Sequence, residues 1–201
     1  MNGALAALLA YFLGSIPFGL LVAKAMVGSD VRKEGSGNIG ATNVLRSAGP
    51  VAGVLTLLLD ALKGVAAVWL ADRLTGGSIA WMSAAALIVL LGHAFPFWLG
   101  FKGGKAVATC LGAFAYLAPL PLLAVVLIFI VVVAKTRYLS LGSILAAGLF
   151  PLACWMILHP EWPVLAAALG AAVLIVERHR GNIARIRAGE ERIFRFRREK
   201  S

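Results

Sequence analysis

Gly35-Ser36-Gly37-Asn38-Ile39-Gly40-Ala41-Thr42-Asn43-Val44-Leu45-Arg46 is a polar, glycine-rich island between two long apolar runs. Its first six residues spell GxGxxG, the pattern that wraps a dinucleotide pyrophosphate. That pattern works only between a strand and a helix of a βαβ unit. Here the flanks are strings of Leu, Ala, Val and Phe, so the dinucleotide reading is set aside. What survives is physical. The glycines let backbone N–H groups turn toward one anion. Ser36, Asn38, Thr42 and Asn43 add short hydrogen-bonding groups, and Arg46 adds a planar fork suited to phosphate.

The flanks extend over the whole chain. Of 201 residues, 61% are hydrophobic, and the mean hydropathy is +0.90. Soluble domains run at roughly 45–50% apolar, so the sequence predicts an all-α integral membrane protein. A spanning helix needs roughly 20 apolar residues, which leaves little for a soluble domain. Seven spans are expected, at about 3–27, 49–72, 78–92, 106–118, 120–134, 141–158 and 164–177, in one domain covering 1–201. Pro17 should kink the first span. The fourth is too short to cross untilted and ends at Pro119 and Pro121. No Lys or Arg precedes Lys24, so the first span lacks the n-region of a secretory signal and should stay attached.

The net charge is +10, and nine of the nineteen Lys and Arg lie between Arg178 and Lys200. With the tail 178–201 cytoplasmic, seven spans put 28–48, 92–105, 135–140 and 178–201 on one side. Together with Lys24 these segments hold seventeen of the nineteen cations, as the positive-inside rule requires. The N-terminus is then outside. The tail is expected to face anionic lipid rather than nucleic acid.

Two further polar islands fall on that side. Gly92-His93-Ala94-Phe95-Pro96-Phe97-Trp98-Leu99-Gly100-Phe101-Lys102-Gly103-Gly104-Lys105 ends in glycines beside lysines at a helix start, where free N–H groups favour an anion. It is not a P-loop: Leu99 stands where the first glycine belongs, and Ala106 follows the lysine. His179-Arg180-Gly181-Asn182 opens the tail, and neither His179 nor Asn182 serves topology. Glu190 is expected to pair with Arg185 or Arg187. Taken singly, each island also reads as a linker or a cationic anchor.

Asp60 and Lys63 are three apart within the second span and share a helix face. Such charges are costly and usually paired, so they form an internal structural pair or support the site. His93 could orient either the loop or a ligand, and His159 reads as a loop residue. Cys110 and Cys154 lie in apolar segments and read as buried hydrophobes. There is no HExxH, no ligand cluster and no Ser/His/Asp spacing, so neither metal nor cofactor is expected. The chemistry must run on phosphate binding and positioning, or on the substrate's own groups.

In combination, GSGNIGATNVLR, GHAFPFWLGFKGGKAVAT and HRGNIARIRAGEE resemble the signature regions of the bacterial acyl-phosphate:glycerol-3-phosphate acyltransferases, the PlsY-type family. GSIPFG in the first span and LDALKG in the second fit as well, so the resemblance covers essentially the whole chain. It implies a seven-span enzyme of the bacterial inner membrane with its active site facing the cytoplasm. Such an enzyme moves an acyl group from acyl phosphate to the 1-hydroxyl of glycerol 3-phosphate, giving lysophosphatidic acid and inorganic phosphate. That is the first committed step of phospholipid synthesis, with neither acyl-CoA nor acyl carrier protein as direct donor.

Carried over onto this chain, the resemblance makes the Gly35–Asn43 loop the donor-phosphate cradle, through Gly35, Ser36, Gly37, Asn38, Gly40, Thr42 and Asn43. Arg46, Lys105, His179 and Asn182 would hold glycerol 3-phosphate, with Lys102, Gly103, Gly104, Ser140 and Ser143 as further contacts. Asp60, Lys63, His93 and Glu190 would support the site. The family usually has glycine where Ala106 stands. Alanine is the better helix former, so the helix can start there, unless the glycine served a positive φ. The donor carries its own leaving group and base, so direct substrate-assisted transfer is expected. A His179 base and an acyl-Ser36 intermediate are the rival routes. A monomer is expected, and the alternative function is a transporter or binding protein for a phosphorylated solute.

Overall fold

In this computed structural model, residues 2–194 are described. Four cations of the expected basic tail, Arg195, Arg197, Arg198 and Lys200, lie outside them. The described residues form an all-helical bundle. The first apolar run is split into α1 (Asn2–Ser15) and α2 (Phe18–Val27). Between them Pro17 has no N–H to offer the ladder, and the Phe18 amide turns back to the Ile16 carbonyl at 3.1 Å.

Then come α3 (Ala41–Ser47), α4 (Pro50–Thr75), α5 (Ile79–Ala94), α6 (Val107–Leu117), α7 (Pro119–Thr136), α8 (Leu139–Leu158), α9 (Trp162–Arg178) and α10 (Arg180–Arg187). α4 begins on Pro50 and ends on a left-handed Gly76, the usual asymmetry of a well-bounded helix. The apolar runs thus become helices close to where periodicity and length put them. The segment 28–48 is a correction, because its second half folds into α3 instead of staying a loop.

Five segments are long and apolar enough to cross a membrane: Asn2–Val27, Pro50–Thr75, Ile79–Leu99, Pro119–Thr136 and Leu139–Leu158. The α9–α10 pair, bent by 55°, would make a sixth. α6 has only 11 residues. α4 packs against α1, α5 and α6, while α9 leans on α5 and α8, and α7 on α8. In lipid, close helix approach depends on small residues. Where α4 meets α6, a Cβ on Gly64 or on Gly112 would collide with the facing backbone, Thr109 for the first and Ala61 for the second. The core is correspondingly alanine-rich, with Phe114 and Phe150 in edge-to-face contact at 4.7 Å.

Candidate active site

The polar segments converge on one end of the bundle. In the first, a short turn Val31–Lys33 precedes the glycines and Gly40 leads into α3. This segment is tied together by one side chain. Asn43 is 2% exposed. Its amide nitrogen donates to the carbonyls of Val31 (3.0 Å), Glu34 (3.1 Å) and Asn38 (2.9 Å), and its oxygen accepts from the Ser36 amide at 2.9 Å. The Gly40 amide donates to the Asn38 side chain, and the Gly37 amide to Glu34.

Two expectations are corrected here. Asn43 is the organiser of the loop and has no donor left for a ligand. The amides of Ser36, Gly37 and Gly40 are spent inside the loop, so a nest built on them is not available. The exposed Ser36 and Thr42 hydroxyls remain open outward. Arg46, near the end of α3, is half-buried. Burial first, then the charge of Arg192, holds its guanidinium below the usual value.

The second segment is a hairpin between α5 and α6. The amides of Gly103 and Gly104 return to the carbonyls of Ala94 and His93, each at 3.1 Å. From the other side Arg178 donates to the carbonyls of Gly103 (2.7 Å) and Gly104 (3.0 Å) while lying over the Phe95 ring. Lys102 is exposed at the hairpin. Lys105 turns inward and donates to the Asn182 side-chain oxygen. Ala106 is left-handed at φ +60°, and α6 begins only at Val107. The helix therefore does not start at the alanine. Alanine occupies the conformation that suits glycine, at a cost of about 1 kcal/mol.

The chain bends at His179, which stands between α9 and α10 and is 3% exposed. Its Nδ1 lies 2.7 Å from the Ile175 carbonyl and therefore carries the proton. Burial, then the charge of Lys105, brings its pKa down to about 4. The ring is neutral near pH 7, with Nε2 as its acceptor. Asn182, one turn on, joins Lys105 to a carboxylate that sequence reasoning missed. Glu191 Oε1 accepts from Asn182 and from Ser140, each at 2.7 Å, and Oε2 accepts from Arg185 at 2.9 Å.

Glu191, rather than Glu190, is thus the partner of Arg185. Gly189 turns left-handed at φ +72° just before, which aims Glu191 inward and leaves Glu190 exposed. Burial works to raise the Glu191 pKa, but its three hydrogen-bond donors outweigh it and keep the carboxylate ionised. The chain then crosses the site. Arg192 reaches the Gly35 carbonyl at 3.3 Å, and the Phe194 amide donates to the Arg137 carbonyl at 2.8 Å.

Arg46, Lys105, Ser140, His179 and Asn182, expected from sequence, are therefore brought together with Arg185, expected only as a partner of Glu190, and with Arg178, Glu191 and Arg192, which were not singled out. Ser143 is not recruited in this way, since its hydroxyl donates along its own helix to the Leu139 carbonyl at 2.9 Å. The cations crowd. Burial brings the Lys105 pKa down to about 8, with Arg185, Arg178 and Arg46 adding to it against the opposing Glu191. Among the described residues no group of three His, Cys, Asp or Glu side chains could hold a metal ion. This is a surplus of positive charge around hydrogen-bonding groups, suited to an anion at a membrane boundary.

The comparisons agree on one lineage. The family model described as Glycerol-3-phosphate acyltransferase matches residues 4–189. A glycerol-3-phosphate acyltransferase of Geobacter sulfurreducens is 46% identical over 97% of this chain and 99% of its own length. One from Trichlorobacter lovleyi is 50% identical over 92% and 94%. The crystal structure of PlsY (YgiH), an integral membrane glycerol 3-phosphate acyltransferase, in its glycerol 3-phosphate form superposes with a TM-score of 0.91. It is 38% identical, over 97% of this chain and 96% of that one. The lysophosphatidic acid form of PlsY gives 0.87 at 37% identity, over the same shares.

Proposed function

This chain belongs to the glycerol-3-phosphate acyltransferase family, and we propose that it transfers a fatty acyl group from acyl phosphate to the 1-hydroxyl of glycerol 3-phosphate. The observation that carries this reading is the meeting of Lys105, His179, Asn182 and Ser140 beside Arg46 at one end of an apolar bundle. Arg46 and Lys105 would hold the acceptor phosphate, with Asn182 and Ser140 as neutral partners. The Ser36 and Thr42 hydroxyls would face the donor phosphate. The apolar spaces between helices would take its chain.

In the reaction the acceptor hydroxyl attacks the acyl carbonyl, the carbonyl–phosphate C–O bond breaks, and the hydroxyl proton passes to a phosphate oxygen of the donor. Lysophosphatidic acid and inorganic phosphate leave. Two observations favour proton transfer within the substrates. A His179 ring with a pKa of about 4 is a weak base, and general bases work best near the operating pH. Glu191 is already spent on three donors. Ser36 has neither a histidine nor a carboxylate among its hydrogen-bond partners in the described residues, so nothing there activates it as a nucleophile. The protein's part is then to hold two anions side by side and stabilise the charge that builds between them.

The placement of seventeen of nineteen cations supports seven spans, with the N-terminus outside and this site facing the cytoplasm of a bacterial inner membrane. Purified monomeric protein given acyl phosphate and glycerol 3-phosphate is expected to release phosphate and lysophosphatidic acid together. Acyl-CoA or acyl carrier protein in place of acyl phosphate is expected to give no product. Turnover with either of those donors, or vesicle uptake of glycerol 3-phosphate without product, would sink the reading.

A further inference from the structure

We infer that Lys63, with Asp60 and His93, is a positioning residue that sets both phosphate-binding segments from inside the bundle. The inference rests on the proposed roles of those segments. The three side chains never reach the site. Lys63 is 3% exposed, Asp60 2% and His93 4%. The Lys63 ammonium lies 2.7 Å from Asp60 Oδ1, donates to the Ile16 carbonyl at 3.0 Å, and stands 2.9 Å from His93 Nδ1. The ammonium thus touches three elements: its own helix α4 through the ion pair, the break between α1 and α2, and the last turn of α5. A buried charge pair is a poor way to pack helices, because apolar residues of similar volume often do as well or better. Charges inside a span by default mark function.

The two contacts outside α4 each lead to one polar segment. Ile16 is the residue at which the first helix breaks. One turn further, Gly19 presses so closely on the Ile39 carbonyl that any Cβ would overlap it. Ile39 is a buried residue of the glycine loop, two-thirds of the way from Gly35 to the start of α3. The His93 arm is more direct. The imidazole fills the space behind Gly104, where a Cβ would land on Nε2. The His93 carbonyl accepts the Gly104 amide at 3.1 Å, and the next residue is Lys105. One ammonium therefore fixes the helix break behind the donor cradle and the imidazole behind the acceptor lysine. Two anions that must meet in one geometry need these supports in register, since a misplacement of about 1 Å can cost about 100-fold in rate.

The test replaces the pair without leaving a lone buried charge. Asp60→Asn/Lys63→Met is expected to keep a melting temperature near that of the parent protein while the KM for acyl phosphate and for glycerol 3-phosphate each rise about tenfold or more. His93→Gln cuts the arm to Gly104 alone, so only the acceptor KM should rise. A merely structural role would lower the yield and melting temperature and leave both KM values of the folded protein unchanged, and that result overturns the inference. If the double variant does not fold, His93→Gln decides: an unchanged acceptor KM overturns it, and a selective rise supports it. A parent protein that makes no lysophosphatidic acid removes the proposed function and this inference with it. Normal parent turnover with unaltered variants removes this inference alone.

Discussion

The glycine loop and the lysine hairpin look alike in sequence and are built in opposite ways. The glycine loop is tied from within. Asn43 reaches back at most twelve residues to bind it, and the result is a mostly local knot that Gly19 and Arg192 touch from outside. The lysine hairpin is held from without. Arg178 and Asn182 arrive from more than seventy residues away, and the His93 ring backs it from α5. A knot can keep its shape while its neighbours move, whereas a clamped hairpin is only as well placed as the helices that grip it. The contrast suggests a division of labour. The first segment offers hydroxyls on a stable base, and the second aims one cation.

The sharpest way to break this comparison is to remove that cation. Lys105→Met should cost about 10²–10³-fold in kcat/KM with folding intact, the scale of losing one preorganised charge-stabilising donor. In the parent protein kcat/KM should fall as pH rises through about 8, where Lys105 loses its proton. From pH 5 to 7 it should follow only the second ionisation of the substrate phosphates, at about pH 6, because His179, at about 4, is already neutral there. An acid limb that disappears in His179→Gln would restore histidine as the base.

Asn43→Ala tests the knot. Losing its hydrogen bonds strands buried carbonyls, for roughly 3 kcal/mol of stability. Asn43→Asp should be worse than alanine, because a carboxylate would face three carbonyl oxygens. If Asn43→Asp is instead folded and selectively impaired in donor KM, the side chain is a ligand after all. Next in size, Glu191→Gln should lower kcat/KM about tenfold by weakening a charge-assisted bond to the half-exposed Arg185. Glu190→Gln should be silent. The smallest effect concerns backbone alone: Ala106→Gly should raise stability by about 1 kcal/mol by relieving a left-handed alanine, read as a higher midpoint in thermal unfolding.

The two regions also differ in how far the sequence foretold them. Helix placement was legible because apolar runs and Pro17 act locally. The break at Ile16–Pro17 and the shortness of α6 follow from residues within a turn of each. For the site, His179 and Asn182 stood out as polar groups with no topological job, whereas Arg46 and Lys105 also counted toward topology and were assigned to glycerol 3-phosphate through the family resemblance. The loop-organising part of Asn43 was not legible, because a buried asparagine and a ligand-binding one look identical in a loop. Glu191 was missed for Glu190 because a single left-handed glycine decides which of two adjacent carboxylates turns inward. Arg178 was hidden by its neighbours, one more cation in a basic run, until the fold brought it to the carbonyls of Gly103 and Gly104.

The hairpin that carries Lys105 also carries Phe97, Trp98 and Phe101, each more than half exposed. Aromatic rings of this kind settle where acyl tails give way to headgroups. A catalyst seated there works at a phase boundary, with one reactant arriving through three dimensions of water and the other along two dimensions of lipid. Saturation by the lipid reactant would then follow its mole fraction in the bilayer, not its amount per volume of suspension. Added inert phospholipid should therefore slow the reaction at constant total donor, whereas added water should not so long as the water-borne reactant is kept at saturation.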